Sequence, residues 1–372
     1  MDNPNINSTL FFSALEEGKR RPYYSNIKPI PTKIWFTSLW FKIVSMTEKF
    51  KNKIYEVEHQ LHISKAQKND YYKEIKELID YFDSELEKLD CILTNKELSN
   101  LCWGYIFREI FPILIKSNFF KRVYFKPKGY PGDFLMMEAI YKNMPNGDGL
   151  LGKLIDKYFL NAPAARAVRE RRRMLSKLLF DYSSKITENL DNEEKLKIMN
   201  LACGSNRELF DFLSQFEKTV DIECTCIDAD NDALFYTQNS VDIFEHNASI
   251  QLINDNVIKW AIKRKAPPNC YDQHIIYSSG LTDYLNDKLF IAFVKLCYDL
   301  LRPGGRVIIS NYSINNPNKA WMDHIFMWRL IHRTEKDMKQ LLMKGGFTQQ
   351  IQTIHDKEKV NLIVTAIKEV SF

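Results

Sequence analysis

Beyond residue 195 the chain settles into a regular alternation of short β-rich runs and helical stretches, the feature that most constrains its fold. The runs fall at 197–201, 221–227, 250–253, 274–277, 306–310 and 362–367. Strands of this length separated by helices pair side by side through crossover connections, which make the strands parallel and set helices against the sheet. The expected fold class is therefore α/β, a doubly wound sheet. With 45% hydrophobic residues the chain can fill the cores such a sheet requires.

The half ahead of this alternation has a different character. Pro22, Pro29 and Pro31 interrupt any regular start, so residues 1–33 are expected to form a loose arm. Met46, Phe50, Ile54, Val57 and Leu61 then recur at helical spacing. Tyr71, Ile75, Leu78, Phe82, Leu86 and Leu89 repeat the pattern after a polar break around 68–70. Each set makes one apolar stripe, and the two stripes predict an antiparallel helix pair. A coiled-coil arm is the alternative, but neither stripe sustains the heptads it needs. Thr94 and Glu97 have capping-box spacing ahead of Leu98, Cys102, Tyr105 and Ile106. The expected domains are the arm, a helical domain with a lid over 34–160, and the α/β domain over 161–372.

Charge and cysteine content exclude some functions. The 52 basic residues exceed the 47 acidic ones by only five, so no nucleic-acid partner is expected. Seven cysteines in 372 residues make no disulfide framework, and Cys224 with Cys226 reads as strand packing. No metal-ligand cluster stands out. The first residues lack the basic-then-apolar order of a secretory signal, and no apolar run is long enough to span a bilayer. The expected setting is cytoplasmic, with secretion by a specialised system as the alternative.

The site chemistry begins where the first run ends, at Asn200-Leu201-Ala202-Cys203-Gly204-Ser205-Asn206. A buried strand breaking into small residues before a helix lets a ligand approach the backbone. The second run ends about twenty residues later at Asp228, where Rossmann-like folds place an acid against ribose hydroxyls. Asp230 is a competitor that could instead cap the following helix. The third run ends at Asn254-Asp255-Asn256, polar groups suited to an adenine edge or to a simple turn. The fourth leads through Ser278 and Gly280 to Asp283 and Leu285, a polar loop at the ligand-binding edge of such sheets. Leu301-Arg302-Pro303-Gly304-Gly305 then makes a tight turn before the fifth run.

In this order the pieces resemble the class I S-adenosylmethionine-dependent methyltransferases. The resemblance implies a Rossmann-like, seven-stranded sheet with S-adenosyl-L-methionine as cofactor. It implies contacts from Asn200, Ala202, Cys203, Gly204, Asp228, Ala229, Asp255, Asn256 and Ser278. Ala202 and Asn206 stand where many members have glycine. Alanine fits if its φ stays negative, and asparagine tolerates the left-handed region.

Three further stretches are similar to a smaller branch, the extracellular-factor 3-hydroxypalmitic acid methyl ester synthases: residues 126–134, 280–285 and 328–334. That similarity implies a lipid-like acid as acceptor, with Tyr130 and Asp133 closing over the cofactor. On the residues alone, Tyr130-Pro131-Gly132-Asp133 is equally a good turn. Arg329 and Arg333 share a face at i, i+4 spacing if 328–334 is helical, and either could pair a carboxylate through its planar fork. An ionised carboxylate needs no general base, whereas a hydroxyl or amine acceptor would use Asp283 or His332. The dense basic run Arg169 and Arg171 to Arg173 reads as solvent-facing or paired with nearby acids. A protein or peptide acceptor, and a non-catalytic protein that keeps the cofactor fold, are the alternatives.

Overall fold

The computed structural model describes residues 32–63, 68–191, 193–216, 220–241, 246–348 and 350–370, and it divides into two compact units. One takes in Ala167–Asn316 and Leu330–Phe372. The other takes in the helices up to Arg166 together with Pro317–Arg329. The expected arm lies outside the described residues except at its end, where Thr32 opens a helix.

The first unit is built on seven strands: β1 (Leu196–Leu201), β2 (Ile222–Asp228), β3 (Ala248–Asn254), β4 (Gln273–Ser278), β5 (Leu301–Tyr312), β6 (Gln352–His355) and β7 (Asn361–Ile367). Their order is β3-β2-β1-β4-β5-β7-β6. The first five run parallel, and β7 is antiparallel to both β5 and β6. Chain direction across the sheet reverses between β1 and β4, which opens a crevice at their carboxyl ends.

Period-two alternation sends neighbouring side chains into two cores. Met199, Leu201, Ile276, Val307 and Ile309 join Trp260, Phe290, Phe293 and Leu341 on one side. Ile198, Cys224, Cys226, Ile275 and Ile308 join Leu175, Leu179, Leu209 and Phe212 on the other. The first core thus packs α10 (Val257–Lys263), α11 (Asp287–Leu300) and α12 (Glu335–Lys344). The second packs α7 (Pro163–Thr187), α8 (Arg207–Leu213) and α9 (Asn231–Val241). The fold is a doubly wound α/β sheet, and Cys224 and Cys226 are strand packing, as expected.

Two expectations fail in this unit. β6 went unread because Gln352-Thr353-Ile354-His355 is short and polar; it is an edge strand whose one partner is β7. Residues 328–334 are not helical: Arg333 makes an isolated bridge with Ser313, and α12 starts only at Glu335. Thr334 caps that helix in a full capping box with Asp337. This cap fixes the boundary and leaves Arg329 and Arg333 without a shared helix face.

The second unit contains α1 (Thr32–Ile63), α2 (Lys68–Ile92), α3 (Lys96–Leu114), α4 (Asn118–Phe125), α5 (Phe134–Lys142), α6 (Gly149–Leu160) and the first turn of α7. The two apolar stripes do pack together, with Phe50 and Phe82 stacked at 4.3 Å. Lys68–Asp70, expected as the break, already belongs to α2. The cap of α3 is Asn95 and not Thr94: its Oδ1 accepts the Leu98 N–H at 3.0 Å. Asparagine one position later satisfies the same N-terminal donor, so the Thr94–Glu97 box is not used.

The segment Pro317–Arg329 is fastened to an acidic face of α2. Asn318 Nδ2 donates to Asp83 at 3.4 Å, the Ala320 N–H to Glu87 at 3.1 Å, and His324 meets Asp90 at 2.7 Å while stacking on Trp103. One oxygen of Asp83 is buried with no hydrogen-bond partner. Burial, and then the Glu87 carboxylate, push Asp83 up to about 7. A carboxyl raised in the folded state binds its proton more tightly there, so its contribution is complete below the unfolded value. It is lost as pH rises through about 7. Denaturation followed from pH 4 to pH 8 should therefore show wild type losing stability relative to Asp83→Asn as the pH climbs. Parallel curves would show that Asp83 does not titrate in the folded chain.

Candidate cofactor site

The turn after β1 is held by two backbone N–H bonds to the end of β2. The Cys203 N–H donates to the Ile227 carbonyl at 2.9 Å, and the Gly204 N–H donates to Asp228 Oδ2 at 2.8 Å. Asp228 Oδ1 accepts the Asp230 N–H at 2.9 Å. Both carboxylate oxygens thus take backbone donors, with the Ala229 N–H also directed at the carboxylate, and its roughly four lone-pair sites leave capacity for a ligand hydroxyl. Burial pushes the Asp228 pKa up, while the Asp230 and Gly204 N–H bonds pull the other way. Ala229, next along, is exposed. Asp230 turns its own carboxylate to the Asp232 N–H at 3.0 Å, the local role foreseen for it.

Asn206 is left-handed at φ 58°, as its residue type permits. Asn200 donates to Asn206 Oδ1 at 2.6 Å, and Asn206 donates to Cys226 Sγ at 2.9 Å, so both side chains brace the turn from within. Ala202 departs from expectation: its φ is 59°, not negative. An alanine there costs about 1–2 kcal/mol, because its Cβ crowds the following carbonyl. Ala202→Gly should relieve it, less roughly 0.4–1 kcal/mol for the freer unfolded chain. Chemical denaturation should show a gain of up to about 1 kcal/mol. A clear loss would mean that the loop does not hold this angle in solution.

At the end of β3 the polar groups are committed locally. Asp255 accepts the Asn256 N–H at 2.6 Å and the Trp260 indole N–H at 2.7 Å. Asn256 Oδ1 caps α10 through the Ile258 N–H at 2.9 Å. Ser278, buried at the end of β4, donates to the Leu201 carbonyl at 2.7 Å and ties the two central strands together.

The loop after β4 is organised by Arg333, only 2% exposed. Its guanidinium donates to the Thr282 carbonyl and Asn311 Oδ1, each at 3.0 Å, to the Leu285 carbonyl, and to Asp287 at 3.1 Å. It also lies over the Phe290 ring at 4.7 Å. Asp283 is equally buried; its carboxylate accepts the Tyr312 N–H at 2.6 Å and its carbonyl the Ile331 N–H at 2.7 Å. Burial raises the Asp283 pKa, with the Arg171 charge the largest opposing influence. His332 is engaged at both ring nitrogens, by the Leu330 carbonyl and Asn316, each at 3.1 Å.

Sequence reasoning missed Arg171. The basic run divides: Arg172 forks Asp211 with two 2.6 Å bonds and Arg173 pairs Glu170 at 3.1 Å, as foreseen. Arg171 instead turns inward and is 4% exposed. Its guanidinium lies against Gly280, where a Cβ would stand 3.5 Å from Nη2. Its charge also opposes the effect of burial on Glu208. The signal was the heptad position: Arg171 falls four residues before Leu175 on the buried stripe of α7.

In the helical unit Asp133 is fully buried. One oxygen accepts from Arg122 at 2.6 Å and caps α5 through the Met136 N–H at 3.0 Å; the other is buried without a partner. Tyr130 is half-buried on the same turn, and Arg329 is exposed. Among the described residues no group of three or more histidine, cysteine or acidic side chains is placed to hold a metal. No helix among them is long and apolar enough to cross a membrane.

Residues 62–228 match the model of a family described as "Putative methyltransferase", a stretch that ends on Asp228 and spans under half of the chain. No curated protein matches the chain. A possible exported protein from Bordetella parapertussis is similar over 92% of this chain and 100% of its own, at 13% identity and a TM-score of 0.49. The magnesium protoporphyrin IX methyltransferase of Synechocystis, solved with SAH, matches 67% of this chain and 98% of its own, at 10% identity and 0.44. The N-methyltransferase NodS of Bradyrhizobium japonicum, also with SAH, matches 62% and 97%, at 13% identity and 0.39. Likenesses this distant carry no argument about activity. The strand order and the two helical layers carry the fold: a Rossmann-like, seven-stranded doubly wound sheet.

Proposed function

We propose that the chain is an S-adenosylmethionine-dependent methyltransferase that esterifies the carboxylate of a lipid-like acid, such as a 3-hydroxy fatty acid. The carrying observation is Asp228, at the carboxyl end of β2 beside the turn that follows β1, with acceptor capacity left on its carboxylate. That is the acceptor set a ribose diol needs, and the neighbouring Gly204 has no side chain to obstruct it. The family match over 62–228 points the same way.

When bound, the cofactor would supply an electrophilic methyl carbon on a sulfonium. Asp228 would hold its ribose and the Asp255 edge would face the adenine. An acceptor oxygen would take that methyl group, the electron pair of the carbon–sulfur bond remaining with sulfur. The two bases considered for a neutral acceptor are both committed, Asp283 to Tyr312 and His332 to Leu330 and Asn316. An acceptor already ionised near neutral pH needs neither, which favours a carboxylate. Arg333 would then act by fixing the Asp283 loop, since its terminal nitrogens are already bonded.

The test uses cofactor carrying an isotopic methyl label, offered with a long-chain acid and with its matching alcohol. Mass spectrometry should find the label in the acid's methyl ester. Label in the alcohol alone, or in a protein fraction alone, would overturn the carboxylate reading. Failure to bind S-adenosylhomocysteine would overturn the methyltransferase reading as a whole.

A further inference from the structure

Two stretches of the helical unit, 201 positions apart in sequence, meet at Lys126. Lys126 ends α4 in left-handed backbone, φ 48°, and its Nζ donates 2.9 Å to the carbonyl of Met327, itself at φ 50°. Side chains disfavour that region, and here two side-chain-bearing residues adopt it on either side of one contact. Arg329 follows two residues on; its Nε reaches the Asp323 carbonyl only at 3.5 Å. Lys128 lies two residues beyond Lys126 with its Nζ 5.9 Å from the Phe134 ring. Burial and then the Arg329 charge push the Lys126 pKa down, so the fold holds like charges together. Apolar surface flanks them: Phe125 is 62% exposed and Met327 37%.

We propose that Phe125, Lys126, Lys128, Met327 and Arg329 form a docking patch for an anionic phospholipid surface. Charge complementarity selects the partner. The charge of Arg329 acts unfavourably on Lys126, and a phosphate bound at the patch would relieve that repulsion. A free phosphate would use those charges but leave Phe125 and Met327 in water. A lipid surface takes both, with the phenyl ring entering the headgroup boundary and the cations meeting the phosphates. The patch stands apart from the methyl-transfer reading, and its binding needs no cofactor and no turnover.

The full chain should sediment with equimolar phosphatidylcholine and phosphatidylglycerol vesicles and much less with phosphatidylcholine alone, and salt should weaken the association. Each cation removed should lower the partition about fivefold, so Lys126→Gln with Arg329→Gln should lower it about twenty-five-fold. Phe125→Ser should cost about tenfold. Lys357→Gln, an exposed lysine of the other unit, should change nothing. Thermal melts of Arg329→Gln and Phe125→Ser should match wild type, since both replace exposed groups, whereas Lys126→Gln also gives up its bond to Met327 and is compared with wild type below its own melt. Equal sedimentation with neutral vesicles, or a double variant that sediments like wild type, overturns the proposal. Saturable inorganic phosphate binding without vesicle binding would assign a free-phosphate site and overturn the lipid partner.

Discussion

Arg333→Met should destabilise the sheet-bearing unit by about 3–5 kcal/mol, read as a large fall in the chemical-denaturation midpoint. Methionine keeps much of the aliphatic stem, so the loss isolates the guanidinium with its hydrogen bonds and its contact on the Phe290 ring. That group feeds the Thr282 carbonyl, the Leu285 carbonyl and Asn311 Oδ1 in a region closed to water. Removing it leaves buried acceptors without donors, and each costs about 1–3 kcal/mol. Arg333→Lys should lie between wild type and methionine, because one ammonium cannot reach acceptors spread around a planar fork. If Arg333 instead held the acceptor carboxylate, as its residue type first suggested, Arg333→Met would abolish turnover with stability nearly unchanged. A loss under about 1 kcal/mol, against the range expected above, would restore that role.

The contrast between Arg333 and Asp228 shows what the sequence could and could not convey. Asp228 was legible because its place follows from strand ends: a β-rich run, a turn of small residues and an acid closing the next run determine a position along one sheet edge. The two-layer core was legible for the same reason, since a period-two pattern in Ile198–Leu201 dictates which side chain faces which helices. Arg333 was not legible, because its environment is assembled from Thr282, Leu285 and Asn311, residues far from it in the chain. The spacing with Arg329 resembled one helical turn, yet Thr334 starts the helix only after both arginines. Residues Pro317–Arg329 offered no clue of their grouping with the helical unit. Their partners Asp83, Glu87 and Asp90 lie more than two hundred positions away on α2. Ala202 fails differently: nothing local to an alanine announces a positive φ, and the two bonds that hold the turn come from the following residues, Cys203 and Gly204, to the end of β2.

Asp228→Ala should weaken S-adenosylhomocysteine binding by about ten- to a hundredfold, the worth of hydrogen bonds to a charged group. S-adenosylmethionine should weaken equally, because the two share the ribose and differ only at sulfur. The alanine also strands the Gly204 and Asp230 N–H groups, so part of the effect would come from a looser turn. Asp228→Asn separates the two causes. Its amide oxygen can keep the Gly204 donor, but its NH2 group faces the Asp230 N–H and can accept nothing from a ribose hydroxyl. Affinity in the asparagine variant should therefore fall nearly as far as in alanine while stability falls less. Acidification gives a third reading: burial raises the Asp228 pKa, so the carboxylate is lost at a higher pH than an ordinary aspartate would lose it. Binding present above that pKa should decline as pH falls through it, and the decline should vanish in Asp228→Ala. Calorimetry showing wild-type affinity in a folded Asp228→Ala chain would remove Asp228 from the site, and with it the observation on which the methyltransferase reading chiefly rests.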